Sequence, residues 1–392
     1  MAIRYLTAGE SHGPALVMIM EGLPAGIRID RDQIDLELAR RQRGFGAGPR
    51  MKIEQDRAEI LSGVLAGETI GSPVAIKIIN LNHERWKGKE IEPFTTPRPG
   101  HVDLAAAIKY GYEDLRPGLE RSSARETAAR VAAGAICKQL LENFQISIGG
   151  YVAAIGLVHA VLGEIPLDTR PTEAEKNDLR CPDPSAAEAM EAEIRAAIQS
   201  RDTLGGILEI IALGVPAGLG SHVQWDRRLE ARLAAAVLSV QAIKGVEIGE
   251  AFANTRLPGT SAQDQIRLRG KELIRPTYRN GGIEGGISSG QPIFIRAAMK
   301  PIATTLTPQQ SVDLATGEEV ATNYERSDFC PVPRAVPILE AVIAIVLADA
   351  LLEKLGGDSI SEMLPRFKAL KKARVSDLHM DGQSHLFWPD NT

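Results

Sequence analysis

The sequence predicts a mixed α+β protein folded as one intertwined domain. Three observations carry that expectation. Short apolar or alternating segments with strand periodicity recur in both halves of the chain. Each half also holds a glycine-rich loop and a long Ala/Val/Leu helix pattern. Length alone, at 392 residues, permits two or three domains, but no Pro/Gly/Ser linker divides the halves. The domain is therefore set at residues 1–370, followed by a polar, loose tail at 371–392.

The elements follow in order. Residues 15–20 are short and apolar, as a buried strand requires. Residues 31–43 have a helix pattern, with Ile34 and Leu38 one turn apart. The pattern ends in the breaker run Gly44-Phe45-Gly46-Ala47-Gly48-Pro49. Residues 52–65 and 73–80 alternate as strands do. In the second, Val74, Ile76 and Ile78 line one face and Ala75, Lys77 and Ile79 the other, so it reads as mostly buried. Residues 80–96, rich in Lys, Glu and Pro, predict a mobile surface loop near the site. Residues 124–143 give the strongest helix, with Ser123 and Glu126 spaced as a capping box. Strands are expected over 145–159 and 205–215, with a helix over 185–199 between them. Further helices are expected over 229–243 and 336–355, the latter with Pro337 in its first turn.

Composition excludes several functions. The formal net charge is −5 and aromatic residues are 4%, which argues against nucleic-acid binding but leaves room for a local basic pocket. Cys137, Cys181 and Cys330 are odd in number and widely spaced. With no CxxC pair and no HExxH motif, neither a disulfide framework nor a metal is expected, and a reducing, cytoplasmic setting fits best. No signal-peptide pattern opens the chain. The apolar stretch 335–352 carries Glu340 and Asp349. It reads as a core helix, too short and interrupted to span a membrane.

The chemistry concentrates around two histidines. His12 sits in Gly9-Glu10-Ser11-His12-Gly13 and His101 in Arg98-Pro99-Gly100-His101. Histidine exchanges protons near neutral pH, and glycine lets backbone approach a ligand. Arg121-Ser122-Ser123 precedes the predicted helix at 124, where free N–H groups and the helix dipole suit a phosphate. An ordinary N-cap is the plainer reading, but Arg116, Arg121, Arg125 and Arg130 crowd that start and call for acids or a bound anion. Arg40, Arg41, Arg43 and Arg50 surround the glycine loop, either as a solvated basic face or as a lid over a polyanion. Asp328, in Arg326-Ser327-Asp328, stands open to three roles: accepting a proton, orienting a ligand, or pairing with an arginine. Nucleotide-binding fingerprints, GxxxxGK[ST] and GxGxxG, are missing. The residues thus point to an enzyme acting on a phosphorylated anion by proton transfer.

Taken in order, these segments resemble the chorismate synthase family over about residues 4–370. The resemblance rests on the two histidine motifs, with Val102-Asp103 completing the second, and on Arg121 through Thr127. It continues in Lys244-Gly245-Val246-Glu247, Gly281-Gly282-Ile283-Glu284-Gly285-Gly286, Met299-Lys300-Pro301-Ile302 and Arg326-Ser327-Asp328. It implies a β-α-β sandwich, long helices between two antiparallel sheets, assembled as a homotetramer. It implies a lyase of the shikimate pathway of aromatic amino acid biosynthesis. The reaction is 1,4-anti elimination of phosphate from 5-enolpyruvylshikimate 3-phosphate, with reduced FMN and no net redox change. His12 would protonate the departing phosphate, His101 would sit at the reduced flavin, and Asp328 would help the flavin N5 take the ring proton. Flavin contacts would come from Arg121, Ser122, Ser123, Gln241, Ala242, Gly286, Lys300, Pro301, Ile302, Ala303, Thr304 and Arg326. Substrate contacts would come from Arg41, Arg50 and Arg125. The chain departs from the family pattern in Phe45-Gly46-Ala47, where relatives carry Tyr-Gly-Arg, and in Ser288-Ser289-Gly290, where they carry Thr-Asn-Gly. The arginine missing at Ala47 puts one anion contact of the family in question, and Arg43 is the candidate to compensate. With no added nucleotide-binding domain, an external flavin reductant is expected. The competing readings are a flavin-dependent oxidoreductase and a flavin or phosphometabolite binder made inactive by Ala47.

Overall fold

The computed structural model describes residues 3–48, 54–325 and 327–388. The N-terminal sheet is antiparallel, in the order Arg4–Ala8, Ala15–Glu21, Val74–Ile79, Glu59–Ser62. Met18 pairs with Ile76 and Met20 with Val74, so the inward-facing side chains of adjacent strands match. That face is fully buried, while Leu6, Ile19 and Ile79 on the other are about half exposed. The strand expected over 73–80 is therefore buried on one face only, because helices cover the sheet from one side. A second antiparallel sheet runs Ile243–Ile248, Ile293–Met299, Gly206–Leu213, Ser147–Ile155, Val158–His159.

Two long helices fill the space between. Thr127–Glu142 packs on the first sheet and Val332–Leu355 on the second, and the two pack on each other. This is the sandwich of antiparallel sheets around helices that the sequence led us to expect. Thr127–Glu142 is rich in alanine, which keeps its surface shallow. At Gly134 the helices approach so closely that an added Cβ would lie 2.3 Å from the Cβ of Ala341.

Val332–Leu355 is apolar on every side, the pattern of a helix surrounded by protein. Its 24 residues are long and apolar enough to cross a membrane, so the length argument made from sequence fails. What identifies it as a core helix is burial: 89% of its most apolar window lies inside the protein. It begins four residues before the predicted start. Pro337 is consequently interior and cannot donate to the carbonyl of Pro333. The fully buried guanidinium of Arg180 donates to that carbonyl instead, at 2.8 Å. It also donates to the carbonyls of Arg40 and Arg43, at the end of helix Arg31–Gln42.

Other expectations need correction. The stretch 54–58 is not strand, and the helix expected over 229–243 ends at Leu238, before strand Ile243–Ile248. Strands Arg4–Ala8 and Ile293–Met299 were not anticipated. The start of the tail is partly anchored, since Ala373 accepts from Leu273 and Arg374 bridges to Glu272.

Candidate active site

His12 is held from four directions. Its Nδ1 lies 2.6 Å from Oε1 of Glu120, and its backbone N–H donates to Oε2 of the same carboxylate at 2.7 Å. Burial pushes the Glu120 carboxyl up, but bonds from His12 and the charge of Arg116 outweigh it and hold the group below its usual range. The indole of Trp86 covers the imidazole at 4.2 Å between centroids. His83 Nδ1 sits 2.8 Å from the carbonyl of His12. The amide of Asn80 donates to the carbonyls of Glu10 and Gly13, which fixes the turn. Asn80, His83 and Trp86, from the stretch 80–96 expected to be a mobile loop, thus line the histidine site.

His101 has a different setting. Its Nδ1 is 2.5 Å from Oδ1 of Asp103, a fully buried carboxylate at the start of helix Asp103–Tyr110. Arg98 grips the same carboxylate through Nε at 2.8 Å and Nη2 at 3.0 Å. Burial raises the Asp103 carboxyl, and the bonds from His101 and Arg98 reverse this and hold it far below its ordinary value. His101 borders a cleft of about 630 Å³ with Leu104, Ile108, Val312 and Leu314.

The two histidines are joined by packed side chains. From His12 the path runs to Trp86, then to Arg116 (5.6 Å from the Trp86 ring) and to Phe94 (5.9 Å from Arg116). It ends at Arg98, 5.4 Å over Phe94 and bonded to His101. A second path reaches Asp328. Arg125 donates to Asn80 and, at 2.6 Å, to Asp56, whose other oxygen takes Arg41 at 3.0 Å. Arg334 donates to the carbonyl of Arg41 and to Asp328. The other oxygen of Asp328 accepts from the Gly48 N–H at 2.7 Å. Of the three roles left open for Asp328, pairing with an arginine is the one observed. An added Cβ at Gly48 would lie 2.6 Å from the carbonyl of Ser327, so glycine is required for this closure.

Burial lowers the Arg41 guanidinium, with Asp56 opposing and Arg334 and Arg125 reinforcing, to about 10. It remains cationic at neutral pH. Arg41 and Arg125 share Asp56, whose carboxyl burial raises and the two arginines pull below its usual range. Arg43, the candidate to replace the arginine absent at Ala47, pairs with Glu175 and Asp178 at 3.0 and 3.4 Å. Arg50 and Arg326 lie outside the described residues.

Arg121 and Ser122 do not stand at a helix start, contrary to the expectation from sequence. Arg116–Ser122 is itself a helix, so both residues lie at its C-terminal end. A single 3-10 turn, Ala124–Glu126, separates it from Thr127–Glu142. Ser123 accepts from the N–H of Arg125, and Glu126 binds Thr7 and Arg130 rather than closing a capping box. The arginines once grouped there are dispersed: Arg121 on Thr7, Arg125 on Asp56, Arg130 on Glu126 and Arg116 on two rings.

Most remaining candidates form a connected line. Gln241 reaches Glu126, the carbonyl of Ala242 accepts from Lys300, and Nζ of Lys300 donates to Gly100, next to His101. The carbonyl of Ile302 accepts from Thr203, and Thr304 accepts from Arg98. Pro301 and Ala303 lie between these anchors. Gly286 packs against Ser221 and Arg228. Glu120, Asp103, Asp56 and Trp86 were not singled out from sequence. Asp103 stands two residues after His101, a local signal; Glu120 is 108 residues from His12, and no spacing joins them.

The sequence matches the family model described as chorismate synthase over residues 3–352. A chorismate synthase of Chlorobaculum tepidum is 52% identical over 95% of this chain and 98% of its own. One of Trichlorobacter lovleyi is 52% identical over 92% of this chain and 96% of its own. A crystal structure of chorismate synthase superposes with a TM-score of 0.77 at 42% identity, covering 94% of this chain and 97% of that one. Sequence, fold and coverage agree along nearly the whole length, and the chain belongs to the chorismate synthase family.

Proposed function

We propose that the chain eliminates phosphate from 5-enolpyruvylshikimate 3-phosphate in a 1,4-anti sense, giving chorismate, with reduced FMN and no net redox change. The observation that carries the reading is the pair of carboxylate-held histidines joined by one path of rings and guanidinium groups. A leaving phosphate needs a proton and positive charge. In this reading His12 gives the proton, and Arg41 and Arg125 supply charge. Asp328 has both oxygens engaged, so it orients the acceptor of the ring proton rather than taking the proton itself.

The residues fit a flavin. Gln241 leaves a buried carbonyl oxygen without a partner, and such an acceptor suits an N–H or hydroxyl of the cofactor. Arg121, Ser122, Ser123, Gln241, Ala242, Gly286, Lys300 to Thr304 and Arg326 would hold it. When bound, reduced FMN would supply electron density to the reacting ring with no net redox change. His101 lies next to the Lys300 end of this line and would steady the charge of the cofactor.

We read residues 1–370 as one catalytic domain, working as a cytoplasmic homotetramer with flavin reduced by an external source. The test is anaerobic phosphate release with chemically reduced FMN beside an oxidised control. Release only with reduced flavin, with chorismate formed and no net flavin oxidation, is expected. His12→Ala and His101→Ala should each lower the rate about 100-fold or more. Stoichiometric consumption of reductant would favour the oxidoreductase, and flavin binding without release the inactive binder. Turnover driven by NADPH with the pure protein alone would refute the external reductant.

A further inference from the structure

We propose that Glu120 is a positioning residue that holds His12 as the proton-carrying acid, an arrangement that His101 lacks. This rests on the reading of His12 as the acid at the phosphate. Both oxygens of Glu120 go to one residue, Oε1 to the ring Nδ1 and Oε2 to the backbone N–H. The grip is tightened by the N–H of Ser11, which donates to the carbonyl of Glu120 at 3.0 Å. With Nδ1–H directed at the carboxylate, Nε2 is the nitrogen left to carry a transferable proton.

The charges around His12 decide the rest. Besides Glu120, the groups facing it are the Trp86 ring, His83 at its carbonyl, Glu10 beside Gly13, and Arg116. Arg116 forms no ion pair with Glu120. Its guanidinium lies over the rings of Trp86 and Phe94, with Nε and Nη1 buried and unpartnered. The Glu120 carboxylate is therefore not neutralised by direct arginine contact. Protonating His12 turns this pair from an anion into a neutral ion pair.

At His101 the sum differs by one charge. Asp103 is already neutralised by Arg98, which places Nη2 3.0 Å from His101 Nδ1. Protonating His101 turns a neutral group of three into a cation. The two histidines thus differ in the net charge of the group each belongs to, through the partners of their carboxylates.

The experiment uses the full chain without ligands and reads each histidine separately. Diethyl pyrocarbonate acylates only the unprotonated imidazole, and peptide mass spectrometry resolves His12 from His101 across the neutral pH range. The quantity read is the pH midpoint of labelling, which does not depend on how open the residue is. In Glu120→Gln the His12 midpoint should fall by about one pH unit, so labelling at pH values well below the midpoint rises about tenfold. The His101 midpoint should stay fixed. Glu120→Asp, which keeps the charge on a shorter arm, should lie between, and it supplies the reading if Glu120→Gln fails to fold by circular dichroism. An unchanged His12 midpoint in a folded Glu120→Gln protein would overturn the proposal. A His12→Ala enzyme with full phosphate release would instead remove the acid role of His12, a failure seen in a different assay.

Discussion

The contact between the two central helices gives a prediction with a magnitude. Gly134 lies in the middle of Thr127–Glu142, where glycine costs about 1 kcal/mol relative to alanine. Restoring alanine would recover that amount if space allowed. Space does not allow it: the new Cβ would lie 2.3 Å from Cβ, 2.4 Å from Cα and 2.8 Å from O of Ala341. Ordinary contact begins at 3.4 Å, so the closest pair must separate by 3.4 − 2.3 = 1.1 Å. The obstruction includes main chain, and no rotamer change relieves it. Overpacking costs about 1–3 kcal/mol and more when backbones must move. Set against the propensity gain, Gly134→Ala should destabilise by about 2 kcal/mol, read as a lower urea midpoint followed by tryptophan fluorescence. Adding Ala341→Gly removes only the nearest of the three atoms. The double variant should recover part of the loss and stay below the parent. A Gly134→Ala protein as stable as the parent would refute the reasoning, as would full rescue by Ala341→Gly.

Arg180→Met should cost about 3–5 kcal/mol in the same assay, because it strands the carbonyls of Arg40, Arg43 and Pro333 in a buried place, whereas Glu175 keeps Arg40 and Arg43; a neutral result would mean that these carbonyls find other donors. Stability should be flat from neutrality to about pH 5 and fall steeply below about pH 4. The sign follows from carboxyls held below their ordinary values. Burial raises Glu340, but Arg40 and Lys138 hold it at about 2, and Asp103, Asp56 and Glu120 are lowered as well. Such groups stabilise the fold while ionised, and the contribution is lost as pH falls from the ordinary carboxylate range through their folded values. Thermal midpoints against pH would show it. A profile for Glu340→Gln with the same acid slope as the parent would remove Glu340 from the explanation.

Sequence periodicity located what is local. Ile34 and Leu38 mark helix Arg31–Gln42, and Val74, Ile76 and Ile78 mark a strand face, because each pattern lies within one element. The histidine motifs and the order of the segments were enough to name the family. What periodicity could not supply is pairing across the chain. Glu120 with His12, Arg41 with Arg125 through Asp56, and Arg180 with the Pro337 gap are all set by tertiary packing. The helix-start reading of Arg121-Ser122-Ser123 failed for a related reason. A serine three residues before a glutamate suits a capping box, but Glu126 is claimed by Thr7 and Arg130 from elsewhere. Strand Arg4–Ala8 escaped notice because its outward face carries Arg4, Leu6 and Ala8, which blurs the usual alternation.

The place of Val332–Leu355 in the chain has a consequence for biogenesis. This helix packs on Arg31–Gln42, Thr127–Glu142, Ser147–Ile155, Gly206–Leu213 and Leu229–Leu238, all of which leave the ribosome before it. Between Glu142 and Val332 lie 332 − 142 = 190 residue steps. At about 5–20 residues per second, the alanine-rich helix waits on the order of 10–40 s for its partner. Throughout that interval the first sheet has only the alanine-rich helix against it, and the strands of the second sheet, as they emerge, wait for the helix that covers them. The fold is closed by a late-synthesised segment, so the nascent chain must be kept from self-association until that segment has emerged.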